Sequence, residues 1–97
     1  MYQPEFHPKV DKDLSKFDKN LRKDIRDKHI PKILEDPHRA GKSLSGKLAG
    51  LKSYSFTAHR TEYRIVYDIL EEKVIVLFLM IGSRENFYER LLRRLRE

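Results

Sequence analysis

The spacing of apolar residues divides the chain into a helical first third and a strand-rich remainder. Between residues 8 and 34 the apolar positions recur at steps of three and four, with lysine and aspartate between them. This period is typical of amphipathic helix. Turn-prone residues at 17–20 interrupt the polar face. The pattern therefore predicts two helices packed as a hairpin, the first ending near Phe17 and the second starting near Lys19.

Prolines mark the limits of these elements. Pro31 lies inside the second helical pattern and should kink that helix or end it near His29, and Asp36-Pro37 should stop it. Residues 2–6 read as a short first strand. Because Pro4 has no N–H to donate, that strand should lie at a sheet edge or carry a bulge.

Beyond residue 52 the apolar period changes to two. Alternating runs at 53–59 and 63–69, joined by Arg60-Thr61, predict an antiparallel hairpin. Residues 73–81 are apolar nearly throughout, as in a strand buried on both faces. Phe87, Leu91 and Leu95 return to helical spacing and predict a short C-terminal helix.

The element order is a strand, two helices, a three-stranded meander and a helix. It predicts an α+β fold in which a small, twisted, mostly antiparallel sheet packs against the N-terminal helical hairpin. A chain of 97 residues closes one core, so residues 1–97 are expected to form one domain.

Composition limits the compartment and the chemistry. The chain has no cysteine, which excludes disulfides and thiolate metal sites and favours a reducing cytoplasm. The N-terminus lacks a signal-peptide pattern, and the apolar run at 74–81 is far shorter than the ~20 residues that span a bilayer. The four histidines lack metal-ligand spacing. A soluble cytoplasmic protein is expected, with no metal, no cofactor and no membrane contact.

The charge distribution indicates an anionic partner, most simply RNA. The net charge is +6, and no acidic residue occurs between Asp36 and Glu62. The helical third instead interleaves lysine with aspartate, as a solvated helix face with local pairs does. A basic, acid-free stretch that contains glycines can wrap a phosphate backbone. The basic residues predicted to contact RNA in this interval are Lys42, Lys47, Lys52 and Arg60.

The predicted hairpin places Arg64 on an exposed sheet face. A turn at Arg60-Thr61 sets Arg64 beside Ser55 and Thr57, on the side away from the helices. A guanidinium flanked by two hydroxyls can grip a phosphate with directional hydrogen bonds. The alternative is a surface arginine paired with Asp68. The residue pairs predicted by this register are His59 with Glu62, Thr57 with Arg64, Phe56 with Ile65, and Ser55 with Val66.

Two residues near the C-terminus complete the candidate site. Arg84 follows Gly82-Ser83 at the end of the buried strand and is expected to converge with Arg64. Tyr88 lies shortly afterwards. It can stack on an unpaired base, as aromatic residues do in single-stranded RNA sites, or it can close the last helix.

Taken together, these segments resemble the RelE/ParE superfamily of bacterial and archaeal toxin–antitoxin toxins. The resemblance is most specific at Leu44–Leu51, at Tyr63–Tyr67 and at Val76–Tyr88. It implies a small sheet backed by a helical hairpin. RelE-like members are metal-independent endoribonucleases, many of which cut messenger RNA on the ribosome. The 2′-hydroxyl attacks the adjacent phosphate, and an acidic antitoxin neutralises the toxin.

The resemblance assigns roles to some residues and leaves others open. Arg64 and Arg84 match arginines that stabilise the phosphorane, and Tyr88 matches a C-terminal tyrosine. RelE carries two lysines where this chain has Ser55 and Thr57, and the glutamate and histidine of the YoeB branch are not evident. The groups that could act as the base instead are His59, Lys52 and Lys47, among which His59 has the most suitable intrinsic pKa.

Two other functions remain open. ParE-like relatives share the fold but poison DNA gyrase by binding it, and lost lysines are common among them. The chain could also be an RNA-binding or antitoxin-binding relic without activity.

Overall fold

The protein folds around a five-stranded sheet, and the computed structural model describes residues 1–97. The strand order is β1-β5-β4-β3-β2, and only β1 runs parallel to its neighbour. The predicted α+β fold with a mostly antiparallel sheet is confirmed, and a two-residue fifth strand is added to it. The strands are β1 (Gln3–Phe6), β2 (Lys42–Ser43), β3 (Lys52–Ala58), β4 (Thr61–Leu70) and β5 (Ile75–Ser83).

Helices cover both faces of this sheet. The predicted hairpin packs on one face, and its second helix is capped by Asp18, whose carboxylate accepts the Leu21 N–H at 2.8 Å. None of the helices has the length and apolar character needed to cross a bilayer. The helices are α1 (Val10–Ser15), α2 (Lys19–Asp24), α3 (Ile30–Glu35), α4 (Pro37–Ala40) and α5 (Phe87–Leu95).

Pro31 was predicted to kink the second helix or to end it near His29, and the structure rules out the second alternative because the helix continues. A π-helical turn at Ile25–His29 joins α2 directly to α3, and the Ile30 N–H bonds to the Ile25 carbonyl. Pro31 cannot donate a backbone hydrogen bond, and the wider turn before it lets the helix continue. The predicted stop at Asp36-Pro37 is confirmed, since α3 ends at Glu35.

Two apolar clusters fill the space on either side of the sheet. The larger lies under the hairpin and includes Val10, Ile25 and Phe78. The smaller lies under α5 and includes Val66, Phe87 and Leu91. Because β5 contributes to both, it is buried on both faces, as its apolar sequence predicted.

A buried ion pair joins α1 to α5 across the end of β5. Arg94 donates two hydrogen bonds of 2.7 Å to the Asp13 carboxylate, and a third of 2.9 Å to the Leu79 carbonyl. The same carboxylate accepts the Ile81 N–H at 3.0 Å. The acidic residues of the hairpin were expected to be solvated, and Asp13 departs from that expectation because it is only 7% exposed.

His29 packs against two aromatic side chains of β3. Its ring stacks on Phe56 with centroids 3.9 Å apart, and its Nδ1 lies 2.8 Å from the Tyr54 hydroxyl. Burial lowers the pKa of His29 below its usual value of 6.5, although Asp24 acts in the opposite direction. The folded state therefore favours the neutral imidazole.

We expect this preference to make the fold less stable in mild acid. The contribution of neutral His29 to the stability of the fold is complete above about pH 6.5, where this histidine is also neutral in the unfolded chain. The contribution is lost as the pH falls toward the lower pKa that His29 has in the folded state. In thermal melts at about pH 8 and about pH 5, the wild type should lose more of its Tm than His29→Gln. Burial also lowers the pKa of His7. His7→Gln therefore measures the contribution of that histidine to the acid sensitivity separately from that of His29. Equal losses in the wild type and His29→Gln would contradict the prediction.

Candidate functional site

The turn between β3 and β4 sets which residues meet at the site. The turn residues are His59 and Arg60, with φ of 51° and 65°. Two consecutive residues with positive φ are typical of the type I′ turns that join twisted antiparallel strands. The predicted turn at Arg60-Thr61 is therefore wrong by one residue.

This turn shifts every predicted pair of the hairpin. Arg64 faces Ser55 instead of Thr57, and Thr57 faces Glu62. Because a side chain's face repeats every two residues, a slip of two positions leaves the faces unchanged. The hydroxyls of Ser55 and Thr57 and the Arg64 guanidinium thus share one face as predicted, but the hydroxyl directly opposite Arg64 is that of Ser55 and not that of Thr57.

Helix α5 covers part of this face and turns the remainder into a groove. The groove has a volume of about 580 Å³, and it is open to solvent on one side. The Tyr88 ring lies over Arg64, with 5.1 Å from the guanidinium carbon to the ring centroid. The Tyr88 hydroxyl donates to the Ser53 hydroxyl at 3.3 Å. The residues that line the groove are Ala40, Lys42, Ser43, Leu44, Ser53, Ser55, Glu62, Arg64 and Tyr88.

Glu62 lies between the two arginines of the predicted site. Arg64 donates to its Oε2 from Nε at 3.2 Å and from Nη2 at 3.1 Å. The Arg84 Nη1 approaches the other oxygen, Oε1, to 3.9 Å. Arg64 and Arg84 therefore approach the same carboxylate, in line with their expected convergence, and the alternative pairing of Arg64 with Asp68 is replaced by pairing with Glu62.

A second polar groove adjoins the first on the Arg84 side. It has a volume of about 590 Å³, and it contains no hydrophobic residue. The Arg84 N–H donates to the Glu62 carbonyl at 3.0 Å, which keeps the end of β5 beside β4. The Arg84 side chain is 69% exposed, against 23% for Arg64. The residues that line this groove are Thr57, Arg60, Thr61, Glu62, Ser83, Arg84 and Glu85.

The remaining predicted residues lie apart from the arginines. Lys47 lines a shallow hollow on the other side of Tyr88. Lys52 donates to the Ser43 hydroxyl at 3.1 Å and lines neither groove. His59 is exposed at the tip of the turn and also lines neither groove. No group of three or more His, Asp or Glu side chains is arranged to hold a metal ion.

Glu62 and Ser53 belong to the site but were not among the residues predicted from the sequence. Glu62 is the first acid after the basic interval and precedes Arg64 by two residues, so strand alternation could have placed both on one face. Ser53 is buried beneath Tyr88 and pairs with Lys42 of β2, which the sequence did not predict as a strand.

The backbone segment that precedes Lys42 forms one wall of the first groove, and Tyr67 holds this segment in place from the protein interior. The Tyr67 hydroxyl donates to the Pro37 carbonyl at 2.7 Å, and burial raises the pKa of Tyr67 to about 12. A Cβ atom at Gly41 would lie 2.6 Å from that hydroxyl and 3.1 Å from the Ser53 carbonyl oxygen. Only glycine permits this close approach of the backbone.

Known proteins similar to this chain share its fold and most of its length. The toxin RelG of Mycobacterium tuberculosis is 29% identical over 89 residues, which are 92% of this chain and 98% of that protein. The mRNA interferase toxin RelE of Escherichia coli K12 is 28% identical over 86 residues, 88% of this chain and 85% of that protein. The toxin–antitoxin complex RelBE2 from M. tuberculosis superimposes with a TM-score of 0.76 at 28% identity, covering 86% of this chain and 98% of that one.

The family assignment comes from a match along nearly the whole sequence. The sequence profile of the ParE-like toxins of type II bacterial toxin–antitoxin systems matches residues 5–92. That range contains all five strands except the first two residues of β1. It also contains Glu62, Arg64, Arg84 and Tyr88. The chain therefore belongs to the ParE-like toxin family of type II bacterial toxin–antitoxin systems.

Proposed function

We propose that this toxin is a metal-independent endoribonuclease that cleaves messenger RNA on the ribosome. The observation that carries the proposal is the position of Glu62, whose two oxygens face Arg64 and Arg84. Two guanidinium groups that converge on one carboxylate can also converge on a phosphodiester, which is likewise an anion with paired acceptor oxygens. The similarity to a toxin named as an mRNA interferase supports the same chemistry.

In this proposal, each polar or aromatic side chain near the two arginines has a role in binding or cleaving RNA. The 2′-hydroxyl of the RNA attacks the adjacent phosphate, and Arg64 and Arg84 stabilise the charge that develops on the phosphorane. Tyr88 faces the groove, where its ring can support a base and its hydroxyl can donate a hydrogen bond. Lys42 and Ser55 would contact the sugar–phosphate backbone of the RNA on one side of Arg64. Thr57 and Arg60 would contact it on the other side.

The partner we propose for regulation is an acidic antitoxin. The net charge of +6 and the basic stretch between Asp36 and Glu62 complement an acidic chain. Solved relatives include toxin–antitoxin complexes from M. tuberculosis and E. coli. Bound antitoxin would compete with RNA for the arginines.

Adding the purified protein to translating ribosomes tests the nuclease proposal. Mapping of the 5′ ends of the messenger RNA should show new cleavage ends within translated codons. The Arg64→Ala/Arg84→Ala double variant, matched in concentration, should produce none. Absence of new ends with the wild type, at concentrations that stop growth, would refute the proposal.

Ser55 and Thr57 favour a second candidate function, in which the protein binds DNA gyrase as ParE-like toxins do. These residues stand where RelE has lysines, so the acid–base set of RelE is incomplete. A gyrase supercoiling assay separates the two functions. Normal supercoiling together with cut messenger RNA would eliminate the gyrase function. Unaltered growth on expression of the protein alone would indicate that the protein is an inactive relic.

A further inference from the structure

The proposed cleavage requires a base that takes the 2′-hydroxyl proton beside Arg64 and Arg84. No histidine lines either groove. The one lysine that does, Lys42, carries an ammonium group that donates three hydrogen bonds and has no lone pair to accept a proton. The carboxylates in the two grooves are Glu62 and Glu85, and Glu85 makes no ion pair with either arginine.

The Glu62 carboxylate has a fixed orientation and one oxygen that accepts no hydrogen bond, as a general base requires. Glu62 is the second residue of β4, and its side chain is 34% exposed, so the carboxylate reaches solvent. The two hydrogen bonds from Arg64 both go to Oε2 and fix the orientation of the carboxylate. Arg84 lies 3.9 Å from Oε1, beyond hydrogen-bonding distance. Oε1 is therefore available to accept a proton.

We propose that Glu62 is the general base of the cleavage reaction, an inference that depends on the proposed nuclease function. The 2′-oxygen transfers its proton to Oε1 of Glu62 and forms a bond to phosphorus. The bond from phosphorus to the 5′-oxygen breaks, and that oxygen leaves with the electron pair and takes a proton from water. Glu62 then releases its proton to solvent. The products are a 2′,3′-cyclic phosphate and a 5′-hydroxyl, and no other reactant is required.

Another role for Glu62 predicts the opposite result. If its carboxylate only neutralises the arginines in the unbound protein, it competes with the phosphate, and removal of its charge should accelerate cleavage. Glu62→Gln separates the two roles, because glutamine keeps the shape of the side chain and can still accept a hydrogen bond from Arg64.

The test compares the wild type, Glu62→Gln and the control Glu72→Gln in single-turnover cleavage of ribosome-bound messenger RNA. Glu72 is exposed in the turn between β4 and β5. We expect Glu62→Gln to lower the rate by about 100-fold or more, and Glu72→Gln to leave it unchanged. The rise of the rate with pH that a base produces should also disappear in Glu62→Gln.

Binding to an uncleavable messenger RNA, with a 2′-deoxy nucleotide at the cut site, completes the test. We expect Glu62→Gln to bind it as tightly as the wild type or more tightly, which shows that the variant is folded and that the lost step is chemical. A wild-type or faster rate in Glu62→Gln overturns the assignment and leaves the nuclease function intact. A wild type that produces no cleavage overturns both.

Discussion

Arg64→Lys is expected to slow the proposed cleavage of messenger RNA by about 10²–10³-fold. Lysine keeps the positive charge but loses the planar fork that donates twice to Glu62 and lies over Tyr88. In the proposed reaction, the orientation of the positive charge at the phosphorane would be lost with that fork. Single-turnover rates on ribosome-bound messenger RNA measure the effect.

The matched control for this variant is Arg96→Lys, which changes an exposed arginine beyond the last turn of α5. It should retain the wild-type rate. Because the Arg64 side chain is largely covered, circular dichroism should first establish that Arg64→Lys is folded. A folded Arg64→Lys protein that cleaves at the wild-type rate would remove Arg64 from the reaction.

Asp13→Ala is expected to lower the free energy of unfolding by about 3–5 kcal/mol. The substitution leaves the Arg94 guanidinium, whose side chain is 13% exposed, without its counter-ion. It also deprives the Ile81 N–H of its acceptor. Urea denaturation monitored by circular dichroism gives the difference, provided that the variant remains folded without urea.

Two further variants isolate the ion pair. Asp11→Ala changes an exposed aspartate of the same helix and should stay within about 0.5 kcal/mol of the wild type. The double variant Asp13→Leu/Arg94→Leu removes both charges and should recover much of the stability lost in Asp13→Ala. If Asp11→Ala and Asp13→Ala proved equally harmful, the buried pair would not be the cause.

The sequence was sufficient for the features that follow from apolar periodicity. The step from a period near four to a period of two separates the helical hairpin from β3 and β4. The unbroken apolar run of β5 follows from its contact with an apolar cluster on each face. The side chains that share a strand face were also predictable, because alternation fixes the face and tolerates a slip of two residues.

Other features depend on tertiary contacts that leave little trace in a linear pattern. The turn at His59-Arg60 uses positive φ at two residues that are neither glycine nor asparagine, so turn composition did not locate it. The π-helical turn before Pro31 and the second cluster under α5 also depend on the assembled core. The pairing of Arg64 with Glu62 requires the strands to be in place before the side chains meet.

The contact between Gly41 and Tyr67 affects how a ligand would meet the groove. The backbone between Pro37 and Lys42 is anchored by a buried hydroxyl and has no space to shift toward it. Its conformational entropy is therefore lost during folding and not at the moment of association. A bound polynucleotide would order its own nucleotides and the outer part of Lys42, while this wall of the groove is already preorganised for it.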